Sequence, residues 1–263
     1  MLNRRLVQLI LAFLGVGLIA SCGGNSNDDV PLIFAAASLS DVLTESAEVY
    51  ERETGKQVSF SFGGSLALAN QIAKLDAPAD GVVLAGWEAG EILDDAGKLY
   101  RRGYEHQIFN KLVVIGPRDQ NAIGSLTDLV NLPGRIAMGD PDLAPAGVFA
   151  AEALLEAEVF DLVSDRLVTT LDVRAALAAV ESGNAQFGLV YLTDYLSSQS
   201  KSLHVLLELE SGDTPIGYGA TGIRTGKSDG RANEFINFIL FMLETRNIFE
   251  AAGFELIAAK EKL

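Results

Sequence analysis

The stretch PLIFAAASLSDVL, residues 31–43, holds the junction on which the fold turns. An apolar run from Leu32 to Ala37 stops at Ser38, and helical spacing begins at once. A short continuous apolar run that feeds directly into a helix reads as a strand buried on both faces, the building block of a parallel βαβ sheet. The hydroxyl at the junction needs an explanation. A helix start carries backbone N–H groups without intrahelical partners and the positive end of the helix dipole. Ser38 with Asp41 therefore fits a capping box, or the same position faces an anion.

The junction recurs outward along the chain. The first helix is expected over 39–53, closed by Gly55. VSFSF (58–62) leads through Gly63 and Gly64 to a helix from Ser65, and GVVLA (81–85) to a helix over 88–96. KLVVIGP (111–117) is another apolar run. RIAMGD (135–140) precedes a helix over 146–157, and RLVTTL (166–171) one over 173–181. FGLVYL (187–192) and HVLLEL (204–209) follow, and an apolar helix over 232–249 closes the series. Such alternation predicts an α/β protein with mostly parallel sheets and helices on both faces. The polar breaks RDQNAIGS (118–125) and ESGDTP (210–215) divide it into two lobes joined by two hinge crossovers. The first lobe is expected over 31–110 plus 216–263, the second over 111–215.

Composition narrows the chemistry. The 263 residues carry a formal charge of −15, which repels phosphate backbones and disfavours nucleic acid as a partner. His106 and His204 are isolated, so zinc-ligand spacing fails and both read as structural or surface residues. Ser38 lies in neither G-x-S-x-G nor S-x-x-K, and no phosphate-loop motif is present. These absences predict no catalysis and no cofactor. Open α/β sheets bind ligands at the carboxyl ends of their strands. Four helix starts fall there: Ser38, the turn at Ser65, Pro145–Gly147, and Asp172–Val173. Taken singly, each is explained by capping, or for Pro145 by the first-turn preference of proline.

The N-terminus is separate. Arg4 and Arg5 precede an apolar run too short for a confident span, which ends in LIASCGG at Cys22, the only cysteine. The segment resembles a bacterial lipoprotein processing site. That resemblance implies removal of residues 1–21, lipid on Cys22, and a flexible tether over 22–30. Removal takes away two arginines and no acids, which moves the charge to −17.

Five blocks then occur in order: FAAASLSDVL, FGGSLALANQIAKLDAPADGVVLA, GDPDLAPAGVFAAEAL, LDVRAALAAVESGNAQFGLVY and AAGFEL. Together they resemble the molybdate-binding proteins of bacterial ABC importers, which have the two-lobed periplasmic-binding-protein fold, over residues 31–256. The resemblance implies that the hydroxyls of Ser38, Ser65 and Tyr191 and the backbone N–H groups of Ala146 and Val173 hold molybdate or tungstate, with no direct metal ligand. It also implies a monomer outside the cytoplasm, anchored to a membrane by lipid, that delivers the ion to a permease and its ATPase. A binding protein or sensor for another oxyanion, such as sulfate or phosphate, is the alternative. A fully ionised tetrahedral dianion offers only acceptors, so a cage of donors suits it, whereas hydrogen phosphate would want an acceptor as well.

Overall fold

The computed structural model describes residues 30–100, 104–198, 200–209, 215–224 and 226–257. Cys22, the expected leader and all but the last residue of the expected tether lie outside the described residues. The first part of the chain runs β1 (Leu32–Ala36), α1 (Ser40–Thr54), β2 (Ser59–Gly63), α2 (Ser65–Leu75), β3 (Gly81–Ala85), α3 (Trp87–Asp95) and β4 (His106–Asn110). The middle holds β5 (Leu112–Pro117), β6 (Ile136–Gly139), α4 (Pro145–Glu156), α5 (Phe160–Val163), β7 (Leu167–Thr170), α6 (Val173–Glu181), β8 (Phe187–Tyr191), α7 (Leu192–Ser197) and β9 (Leu203–Leu209). The chain ends with β10 (Ile216–Gly222), α8 (Asp229–Phe241), α9 (Leu243–Ala251) and β11 (Glu255–Leu256).

Two sheets organise these elements, each at the centre of a lobe. One has the order β11-β4-β10-β3-β1-β2 and the other β7-β6-β8-β5-β9. β1 shows why its sequence is apolar throughout. Ile33 and Ala35 enter one core cluster and Phe34 the other, so both faces of the strand are covered. α1 ends at Gly55, whose left-handed backbone (φ 71°) turns its N–H onto the Glu51 carbonyl at 2.8 Å.

The sheets are mixed rather than mostly parallel. β2–β1–β3 and β7–β6–β8 are parallel, as βαβ units require. β10 returns from the second lobe and runs antiparallel between β3 and β4. β5 and β9, which enter and leave that lobe, pair antiparallel with each other, and β5 also with β8. The crossovers impose this reversal.

The closing helix is also two helices. Met242 is extended (φ −73°, ψ 128°) between α8 and α9. Fully buried Thr245 donates its hydroxyl to the Ile239 carbonyl at 3.2 Å, a group that the break leaves without its helical partner. α8 buries Ala232, Phe235, Ile236, Ile239 and Leu240 in the first lobe. Among the described residues, no helix is long and apolar enough to cross a membrane.

Candidate functional site

The carboxyl ends of β1, β2, β6, β7 and β8 converge between the lobes. A small cavity lies there, lined among others by Ser38, Gly64, Ser65, Ala146, Val173 and Tyr191. All five positions expected to bind a ligand therefore line one space, two from the first lobe and three from the second.

Each donor is positioned by its local chain. Ser38 sits inside a 3-10 helix (Ala37–Leu39) that leads into α1, and Ser65 is the first residue of α2. Neither is a side-chain cap. Instead Ser38 Oγ lies 2.9 Å from Tyr218 Oη, and Ser65 Oγ accepts the Ala85 N–H at 3.0 Å. The capping explanation fails for both serines. It holds for Asp172, whose carboxylate accepts the Ala175 N–H at 2.9 Å. Pro145 fills the first position of α4 and has no N–H, so Ala146 presents the first free one. Val173 is the first residue of α6, and its N–H likewise has no intrahelical acceptor. Tyr191 ends β8, is buried, and has no hydrogen-bond partner for its Oη among the described residues. Burial raises its pKa well above the usual phenol value, with Tyr218 and Asp194 adding to the effect, so it remains a donor.

Among the described residues lining the cavity none is a lysine or an arginine, and the one acid, Asp172, is committed to its cap. The positive field there comes from helix N-termini, each worth about half an elementary charge. Arg174, next to Val173, has its charge taken elsewhere. Its Nε is 2.5 Å from Asp194 Oδ1, an ion pair without hydrogen-bond alignment, and its Nη2 is 2.9 Å from Asp41 Oδ2 in the first lobe. Asp194 is fully buried, and burial raises its pKa to about 7 against the opposing charge of Arg174.

The lobes are closed on the site. The Ala67 N–H of α2 donates to the Leu143 carbonyl of the second lobe at 3.0 Å. Gly64 lies so near that lobe that a Cβ there would be 2.4 Å from the Leu143 oxygen and 2.7 Å from the Leu171 oxygen. Sequence reasoning missed what stands behind the donors: Asn110, Tyr218, Arg174 and Asp194. Asn110 ends a strand with no clear pattern, and Tyr218 lies in the glycine-rich IGYGATG, so neither carried a signal.

The expected histidines are structural in placement. His106 is buried and stacks on Trp87 with ring centroids 3.6 Å apart. His204 sits on β9 with its Nε2 2.7 Å from the Gln120 carbonyl. Neither lines the cavity.

Residues 31–255 match the model of the bacterial extracellular solute-binding protein family. The molybdate-binding protein ModA of Escherichia coli is 35% identical over 195 residues, covering 71% of this chain and 76% of that protein. The substrate-binding lipoprotein YvgL of Bacillus subtilis is 33% identical over 259 residues, covering 94% and 96%. The periplasmic molybdate-binding protein of Azotobacter vinelandii shares the fold, with a TM-score of 0.75 at 22% identity over 87% of this chain and all of that one. By family match, by identity to these relatives and by its two-lobed fold, the chain belongs to the bacterial extracellular solute-binding proteins.

Proposed function

We propose that this protein binds molybdate, and also tungstate, between its lobes and hands it to an ABC importer without making or breaking a bond. One observation carries the reading: three buried hydroxyls and two helix-start N–H groups, from both lobes, line one small cavity with no lysine or arginine among its described lining residues. Donors alone suit an ion that offers only acceptors. Neutral donors also leave no buried, unpartnered cation when the site is empty. The molybdate-binding relatives support the choice of ion over other tetrahedral oxyanions. Because donors come from both lobes, the ion favours the closed arrangement by its greater affinity for it. Opening on the membrane permease then releases it, and the partner ATPase drives that cycle.

Calorimetric titration with molybdate, tungstate, sulfate and phosphate tests the reading. Tight binding of the first two is expected, and preference for phosphate or silence toward all four overturns it. A hundredfold excess over the dissociation constant should also stabilise the fold by about 2.7 kcal/mol. Lipid on Cys22 would hold the protein at a membrane, as the lipoprotein name of the Bacillus relative suggests. Cys22→Ser should then move the protein to the soluble fraction with its ion affinity intact, and retention in membranes counts against the anchor.

A further inference from the structure

Behind Ser38 lies a buried chain of hydrogen bonds whose direction can be read. The Asn110 side chain is oriented by the Lys111 N–H, which donates to Asn110 Oδ1 at 2.9 Å. Its Nδ2 can therefore only donate, and it lies 2.8 Å from Thr193 Oγ1 and 3.0 Å from Tyr218 Oη. Tyr218 Oη thus already receives a hydrogen. Among the described residues, its own hydrogen has Ser38 Oγ at 2.9 Å as its acceptor. Asn110, Tyr218 and Ser38 are all buried, so the chain of bonds is shielded from bulk solvent. Burial also raises the pKa of Tyr218, which keeps its hydrogen in place. With an acceptor position of Ser38 Oγ taken by Tyr218, the serine hydrogen is left to point into the cavity. Ser65 is set in the same way, because the Ala85 N–H occupies its oxygen.

We propose that Asn110 and Tyr218 are positioning and specificity-determining residues, a one-way chain that commits the Ser38 hydrogen to the ligand and so favours oxyanions without a hydrogen over those carrying one. The inference rests on the oxyanion reading for its ligand and deepens it by naming what sets the polarity of the site. A ligand O–H turned toward Ser38 would meet a hydroxyl whose own hydrogen then has no acceptor, which is the costly case for a buried donor.

The test uses the wild-type protein and Tyr218→Phe, titrated at neutral pH with molybdate, sulfate and phosphate, of which only phosphate keeps a hydrogen. In the variant, molybdate and sulfate should bind about ten-fold more weakly while phosphate is not weakened, narrowing the sulfate-to-phosphate ratio by about ten-fold. Equal losses for all three anions, or no loss, would overturn the proposal. The melting temperature of the ligand-free variant checks that it folds. Neutron diffraction from the wild-type protein reads the chain directly. Deuterium on Tyr218 Oη aimed at Ser38 Oγ supports it, and deuterium on Ser38 aimed at Tyr218 overturns it. A wild-type protein that binds none of the anions would refute the oxyanion reading, while the neutron map would still decide the direction of the chain.

Discussion

At the scale of single residues, the site separates groups that hold the fold from groups that wait for a ligand. Tyr191 is the clearest of the second kind, because its buried Oη has no protein partner among the described residues. Leaving a buried hydroxyl without a partner costs about 1–3 kcal/mol. Tyr191→Phe should therefore leave the ligand-free protein as stable as wild type or more so. Its molybdate affinity should fall by about 1.5–3 kcal/mol, the worth of a hydrogen bond to a charged acceptor. A melting curve beside a calorimetric titration checks both halves, and lowered stability with unchanged affinity would mark the phenol as ordinary core. His106 belongs to the first kind. Burial lowers its pKa to about 4 from 6.5, so the unfolded chain binds a proton there that the folded one refuses. Its contribution is present above pH 6.5 and is lost as pH falls toward 4. Denaturant melts from pH 7 to pH 4 should show stability falling by up to about 1.4 kcal/mol per pH unit from this group. His106→Gln should flatten that part of the profile.

At the scale of elements, the helix starts carry the function and the turn before α2 carries closure. Gly64 has φ −65° and ψ 129°, a conformation open to any residue, so its identity is explained by space rather than backbone freedom. The two carbonyl oxygens that a Cβ would strike belong to the opposite lobe. Gly64→Ala should fold normally yet fail to close: affinity for molybdate should drop at least ten-fold, and small-angle scattering should show no compaction on adding the ion. The cap on α6 gives a contrasting case. Asp172→Ala should cost about 1 kcal/mol of stability, read from the denaturation midpoint, through loss of the bond to the Ala175 N–H. Much of this was legible in the sequence. The run ending at Ser38 announced a strand and the helix after it, because a strand covered on both faces must be apolar at every position; β2 and β7, edge strands carrying Ser59, Ser61, Thr169 and Thr170, were marked instead by the helix starts that follow them. β10 was not legible: Gly217 and Gly219 leave room for the rings of His106 and Tyr104, and a strand shaped by its neighbours' bulk lacks the usual branched residues. The break at Met242 was hidden for another reason. Periodicity continues across it, and the Thr245 hydroxyl that takes up the freed Ile239 carbonyl of α8 is a contact visible only in three dimensions. The donors of the site could be placed by resemblance, but the groups that orient them lie far away in the chain, as Tyr218 does from Ser38, and spacing cannot join them.

At the scale of the whole molecule, the strand order dictates a schedule. All five strands of the second sheet lie between Leu112 and Leu209, a single unbroken length of chain. The first sheet differs, since β10 is inserted between β3 and β4 and comes from residues 216–222. A ribosome reading from the amino end therefore finishes the second lobe while the first still lacks an inner strand. Until that strand emerges, β3 has one open edge and β4 has neither of its neighbours. Chains shortened to end near residue 209 should accordingly contain a protease-resistant second lobe and a first lobe that is cut readily. The half of the molecule made first is the half completed last, and the nascent chain carries that exposed edge through about half of its synthesis.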